Sequence, residues 1–174
     1  METTKNNLPP NVKQFFYNLS EYLDTQMLYF GSVQRSDYVP GKSDIDVDIF
    51  TDNENSIIGK MQHFLGVSKK EFKSIVWIIN DKPVYGYKIK YSKPDEKLEA
   101  EFSIYNEKFK DTVIKEHTRK FILPIYVTIL LYILKFFYYT IPLLSTKNYG
   151  RCKRFILSRC IGEDYDKFMV LDSF

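Results

Sequence analysis

Between Ser43 and Phe50, carboxylates alternate with branched aliphatic residues, and that alternation dictates a strand. Successive side chains of a strand point to opposite faces. Asp44, Asp46 and Asp48 therefore share one face, and Ile45, Val47 and Ile49 share the other. The aliphatic face needs a core to cover it. The acidic face carries like charges in a row, which repel unless a cation or a partner satisfies them. A short apolar run, 27–30, precedes the strand and ends at Gly31-Ser32, and a polar loop over 33–42 connects the two. Glycine lets the backbone approach phosphate oxygens, and the Ser32 hydroxyl with nearby N–H groups can donate to them. Asp44 and Asp46 are one pleat apart and point the same way, so both can ligate Mg²⁺. The stretch 28–50 thus reads as a metal site beside a phosphate-binding turn.

The rest of the chain supplies a fold around this stretch. Residues 1–10 read as a flexible leader ending in Pro9-Pro10. Asn11 then caps a helix whose apolar face is Val12, Phe15, Phe16, Leu19, Tyr22 and Leu23. Ser56 caps a second helix carrying Ile57, Ile58, Met61, Phe64 and Leu65, which Gly66 ends; Ser68 to Glu71 has the form of a capping box. Ile75 to Ile79 is a β-favouring run, and 80–83 is a turn. The alternating runs 84–91 and 98–105 form a plausible antiparallel pair. From Asp111 onward the pattern is helical. It includes a strongly apolar stretch, 121–144, interrupted by Pro124, Lys135 and Pro142, and a basic segment with Lys147, Arg151, Lys153, Arg154 and Arg159. The implied class is α+β: a small mixed β-sheet with helices packed on it over 11–110, and a helical C-terminal region over 111–174.

A length of 174 residues fits one domain with an appendage, and an apolar fraction of 44% is enough for a real core. The 14 Tyr and 14 Phe are read first as core rather than as stacking platforms. A net charge of +3 does not demand a nucleic-acid duplex, although it does not oppose an anionic nucleotide. The only cysteines are Cys152 and Cys160, and the only histidines are His63 and His117, which excludes a zinc site or a disulfide framework. Sparse cysteines and an N-terminus without an apolar signal segment point to a cytoplasmic protein. The stretch 121–144 is long enough for a bilayer, but Lys135 inside it is costly there. A buried or oligomer-facing helix is the expectation over a membrane span.

Strand, Gly-Ser turn, loop and Asp-x-Asp strand resemble the nucleotidyltransferases of the DNA polymerase β superfamily. Gly31-Ser32 and Asp44-Ile45-Asp46 match that pattern residue by residue, and Ser43 before the first aspartate is common in the family. The match covers 27–50 and extends in outline to about residue 105. The resemblance implies a two-metal site using Mg²⁺ or Mn²⁺, a nucleoside triphosphate, and transfer of a nucleoside monophosphate to an acceptor with release of pyrophosphate. It also implies a third carboxylate on a later strand. Glu101, followed by Phe-Ser-Ile, is preferred for that role, with Glu99 as the alternative; the family more often has Asp there.

Lys88 and Lys90 stand either as contacts for the triphosphate or as ordinary cross-strand partners of Glu99 and Glu101. Asp48 reads as an onlooker, solvated or paired with a lysine. His63 is expected on a solvated helix face, and His117 on a helix surface or near the site. Pro40-Gly41-Lys42-Ser43 has the ending of a phosphate-binding P-loop but lacks its first glycine and precedes a strand, so it is set aside. The basic segment after 144 suits phosphate, anionic lipid, RNA or simply a solvated helix face. The acceptor stays open among a small molecule, a protein and a nucleic-acid end. A catalytically silent member of the same fold and a membrane-associated protein are the rival readings.

Overall fold

In the computed structural model, residues 2–119, 121–161 and 168–171 are described. Helices α1 (Pro10–Leu23) and α2 (Glu54–Leu65) flank the chain's first two strands, β1 (Met27–Phe30) and β2 (Ile45–Thr51). Strands β3 (Lys73–Ile79), β4 (Lys82–Lys93) and β5 (Leu98–Asn106) follow, then helices α3 (Lys110–Thr118), α4 (Ile125–Tyr139) and α5 (Thr146–Ile161), and a short strand β6 (Phe168–Val170). The strands form one mixed sheet in the order β1-β2-β5-β4-β3-β6. Only β2 and β5 run parallel; every other neighbouring pair is antiparallel. A mixed sheet with packed helices is the architecture that the sequence implied.

Local chemistry explains most boundaries. Pro10 sits in the first turn of α1, where its missing N–H costs no hydrogen bond. Asn11 is therefore inside the helix instead of capping it, and its side-chain amide donates to the Glu96 carbonyl at 2.9 Å. The cap of α2 is Asn53, not Ser56: the Asn53 side chain accepts from the Ser56 backbone N–H at 3.0 Å. Ser68 and Glu71 do form the reciprocal capping box, over a single 3₁₀ turn. Asn80 and Asp81 both take positive φ, at 49° and 58°, which lets the β3–β4 hairpin close tightly. Strand β6 falls within 111–174, the region read from sequence as helical.

One face of the sheet is covered by α1 and α2. Phe16, Leu19, Ile57 and Met61 pack there on Val47, Ile49, Phe102 and Ile104. The leader joins this packing: the Asn6 side chain donates to the carbonyls of Val33 and Arg35 at 2.8 and 2.6 Å, and Leu8 is buried. On the other face α3 covers only one end of the sheet, where Val113 joins Phe30, Trp77 and Tyr105. The remaining end of that face is open and carries the acidic residues.

Helix α4 begins after Pro124 and ends before Pro142, so the apolar stretch yields 15 helical residues. Among the described residues, no helix is long and apolar enough to cross a membrane. Val127 and Leu131 pack on Leu157 of α5. The opposite side of α4 is exposed, with Ile125 at 79% and Ile133 at 48%. The helix is thus half-buried within this chain, and the reading of it as a buried helix holds for one face only.

Gly86 marks the tightest packing in the sheet. A Cβ there would lie 2.6 Å from the Ile104 carbonyl oxygen and 2.7 Å from the ring of buried Tyr105. Gly86→Ala is expected to lower unfolding stability by about 1–3 kcal/mol, the usual cost of overpacking, measured as a reduced urea midpoint.

Candidate active site

Parallel pairing of β2 with β5 sets Asp46 opposite Glu101 and Asp48 opposite Ser103. Antiparallel pairing of β5 with β4 then sets Glu101 opposite Lys90 and Ser103 opposite Lys88. Gly31, Ser32, Asp44, Asp46, Lys88, Lys90 and Glu101 all line one cavity of about 420 Å³. Two expected residues lie outside it. Glu99 accepts a hydrogen bond from Ser92 at 2.5 Å and turns to the surface. Ser43 is buried, where its hydroxyl oxygen accepts from the Val39 N–H at 3.2 Å and from Lys135 at 3.1 Å.

Gly31 and Asp46 depend on each other. Gly31 has φ of +68°, a region that disfavours side chains, and a Cβ there would sit 1.7 Å from Asp46 Oδ2. Only a glycine lets the turn after β1 close over the Asp46 carboxylate. Burial, and next the charge of Glu101, raise the Asp46 pKa from the ordinary 3.8 to about 6. Lys153 and Lys88 oppose this rise, and Asp44 adds to it.

Glu101 is compensated where Asp46 is not. Lys88 Nζ lies 2.6 Å from Glu101 Oε1, and Lys90 Nζ lies 3.2 Å from Oε2. Burial works against the Glu101 charge, but Lys88 and then Lys90 outweigh it and hold the carboxyl below its usual range. Lys90 responds in turn: partial burial works against its charge, and Glu101 lifts its pKa above the ordinary value. Both lysines are thus cross-strand partners of Glu101 and also cavity walls.

Several cavity residues escape the sequence pattern. Asp48 is 3% exposed and paired with His117, whose Nε2 lies 3.0 Å from Asp48 Oδ2. It is neither solvated nor paired with a lysine. His117, on α3, is stacked on Phe30 with ring centroids 4.5 Å apart and lines the cavity. Arg35 from the β1–β2 loop and Lys153 and Arg154 from α5 add cations, and Trp77 and Phe168 close the far wall. The basic segment was a visible signal for Lys153 and Arg154. Nothing local in the sequence marked His117, because its role comes from α3 folding back over the sheet.

The donor set of Asp44, Asp46 and Glu101 is all oxygen, which suits Mg²⁺ or Mn²⁺. The raised proton affinity of Asp46, buried beside Glu101 and under the Gly31 turn, is the observation that suits a dication. Against this, both Glu101 oxygens face lysines, and among the described residues no three His, Cys, Asp or Glu side chains converge tightly enough to hold an ion as they stand. Asp44 and Asp46 could hold a divalent cation by their oxygens, and Glu101 could join them only if a lysine gave way.

The family model described as "Nucleotidyltransferase domain" matches residues 11–121, from α1 through α3. No curated protein matches the chain. Similar solved structures include a cytoplasmic RNA terminal U-transferase, at 14% identity and a TM-score of 0.38, covering 74% of this chain and 39% of that one. Another is the Cid1 poly(U) polymerase bound to MgGTP, at 14% identity and a TM-score of 0.37, covering 72% of this chain and 39% of that one. A Cid1 mutant bound to MgATP aligns over 82% of this chain and 46% of its own, at 14% identity and a TM-score of 0.40. The chain spans less than half the length of these structures.

Asp46 links the site to stability. It holds its proton more tightly in the folded state, at about 6, than at its ordinary 3.8, so its contribution is fully present below that lower value. The contribution is lost as pH rises through about 6. Asp46→Asn is therefore expected to be more stable than the wild-type protein at pH 7 to 8 without added metal. The gap should narrow as the pH falls through about 6 and close near the ordinary value of 3.8. Thermal melts of both proteins across that range test this, and a gap independent of pH would contradict the assignment.

Proposed function

The chain belongs to the nucleotidyltransferase domain family, and from that premise we propose that it transfers a nucleoside monophosphate from a nucleoside triphosphate to an acceptor hydroxyl. The observation that carries this reading is the Asp46 carboxylate, seated under Gly31 and directly opposite Glu101, with a proton affinity raised by burial and by that neighbouring charge. A row of acids held in this way on a sheet face serves no packing purpose.

Gly31 and Ser32 present the turn against which the triphosphate binds. Lys153 and Arg154 face the same cavity from α5 and oppose the phosphate charge, with Lys88 and Lys90 on the sheet side. Divalent cations, when bound at Asp44 and Asp46 with Glu101, lower the pKa of the acceptor hydroxyl and offset charge at the α-phosphorus. The acceptor oxygen, losing its proton, bonds to the α-phosphorus. The bond from that phosphorus to the bridging oxygen breaks, and pyrophosphate leaves. The protein contributes positioning and charge rather than a covalent intermediate. The acceptor is a small molecule, a protein or a nucleic-acid end, and the same cavity serves each.

A second reading, binding without transfer, draws on the double lysine engagement of Glu101. One assay separates the two. The protein is incubated with each labelled nucleoside triphosphate, Mg²⁺ or Mn²⁺, and a pool of acceptors, and pyrophosphate release is followed. Transfer is expected, with Asp44→Asn and Asp46→Asn lowering it at least about a hundredfold, beyond what loss of an outer-sphere metal partner costs. Undiminished turnover in Asp44→Asn would remove Asp44 from the site. Metal-dependent nucleotide binding without pyrophosphate release would favour the second reading.

A further inference from the structure

Lys135 is the only charged residue in α4, and it is 3% exposed. An apolar helix of this kind packs without a cation, and burying an ammonium is costly unless it is fully partnered. Its partners come from far back in the chain. Lys135 Nζ donates to the Asp37 carbonyl at 2.6 Å and to the Ser43 hydroxyl oxygen at 3.1 Å, and it pairs with Asp37 Oδ2 at 3.0 Å. Asp37 and Ser43 bracket the loop that delivers the chain to Asp44.

Between these two points the loop is bonded to itself. The backbone N–H groups of Lys42 and Ser43 donate to the Val39 carbonyl at 3.1 and 2.9 Å, and the Val39 N–H donates to the Ser43 hydroxyl oxygen at 3.2 Å. Asp37 is also bonded to Arg35, which lines the cavity, through Arg35 Nε at 2.8 Å and Nη2 at 3.2 Å. The Lys135 ammonium thus joins both ends of the loop to α4, beside the Tyr132 hydroxyl, which donates to the Ser36 carbonyl, and Lys42, which donates to the Tyr139 carbonyl at 3.0 Å.

We infer that Lys135 is a positioning residue: by bonding both Asp37 and Ser43 it fixes the 37–43 loop against α4, so that Asp44 is presented to the cavity beside Asp46. Its consequence for transfer rests on the nucleotidyltransferase reading above; its effect on the loop does not.

Removing the lysine alone would leave Asp37 buried with Arg35 as its remaining ionic partner, so loss of folding could mask the effect. The informative comparison is Lys135→Met/Asp37→Asn against Asp37→Asn. The single variant keeps the lysine's bonds to the Asp37 carbonyl and to Ser43, and the double variant removes them; Arg35 loses its carboxylate partner in both, so that loss cancels in the comparison. Both are expected to fold, with unchanged amide exchange in β5. In the double variant the Lys42 and Ser43 amides should exchange at least about tenfold faster than in the single one. Its Mn²⁺ dissociation constant, read from the spectrum of free Mn²⁺, should be weaker by roughly tenfold, and nucleotidyl transfer should fall by between tenfold and a hundredfold, the range that a misplacement of about 1 Å produces.

Equal amide exchange in the two variants would overturn the inference. So would faster exchange with unchanged Mn²⁺ affinity and transfer, because Lys135 would then order the loop without positioning the site. A wild-type protein that neither binds Mn²⁺ nor transfers nucleotide would sink the transfer reading instead, leaving the amide exchange to decide whether Lys135 holds the loop.

Discussion

The parallel register of β2 and β5 places Asp46 directly beside Glu101 on one face of the sheet, and much of the surrounding structure answers that pairing. Two carboxylates this close cannot both ionise freely in a partly dry cavity. The sheet compensates one of them from within, through Lys88 and Lys90 on the adjacent strand. The other is left with a raised proton affinity and with the distant charge of Lys153. This asymmetry distinguishes the two carboxylates: the lysines that pair Glu101 act on Asp46 only at longer range. The Gly31 turn enforces it by closing over Asp46, where any side chain would collide with the carboxylate.

A second buried ionic centre has the opposite character. Asp37 is 0% exposed and bonded by both Arg35 and Lys135. Burial alone would raise its pKa, but the Arg35 and Lys135 contacts outweigh burial and hold the carboxyl below its usual range. Burial also lowers the Lys135 pKa, with Asp37 opposing. Removing one member of such a pair typically costs about 3–5 kcal/mol because a charge is left buried. One carboxylate is therefore paired with two cations, while the other keeps a raised proton affinity. They are joined by the short path from Ser43 to Asp44.

How much of this was legible follows from the range of each interaction. Period-2 alternation is local, so β2, β4 and β5 and the shared face of Asp46 and Asp48 could be read from neighbouring residues. The choice of Glu101 over Glu99 needed the partner strand, which sets Glu101 beside Asp46 and leaves Glu99 bonded to Ser92. The cap at Asn53 and the helix start at Pro10 went unread because several residues in each segment could begin a helix, and packing selected among them. Lys135 was visible as an anomaly in an apolar run, which argued for burial, but its partners lie 92 and 98 residues earlier. His117 reads from sequence as lying on a helix surface or near the site, and the choice could not be read locally because Asp48 and the Phe30 ring reach it only through tertiary contact.

Asp48 shows how a third acid in the same row takes a different role. Two residues further along β2 it faces the same side as Asp46, yet it lies where α3 covers the sheet. Its Oδ2 is buried there and faces His117 Nε2 at 3.0 Å without forming a hydrogen bond. Beyond that pair the face is apolar, built from Phe30, Trp77, Tyr105 and Val113. Before it the face is open and lined with charge. The Asp48–His117 contact therefore marks the boundary between core and site. An apolar pair at that boundary would extend the dry core toward Asp46 and raise its desolvation further, whereas a solvated pair would let water into the packing around Phe30. Helix α3 ends shortly after His117, so the length of one helix sets how much of the acidic row remains available to a ligand.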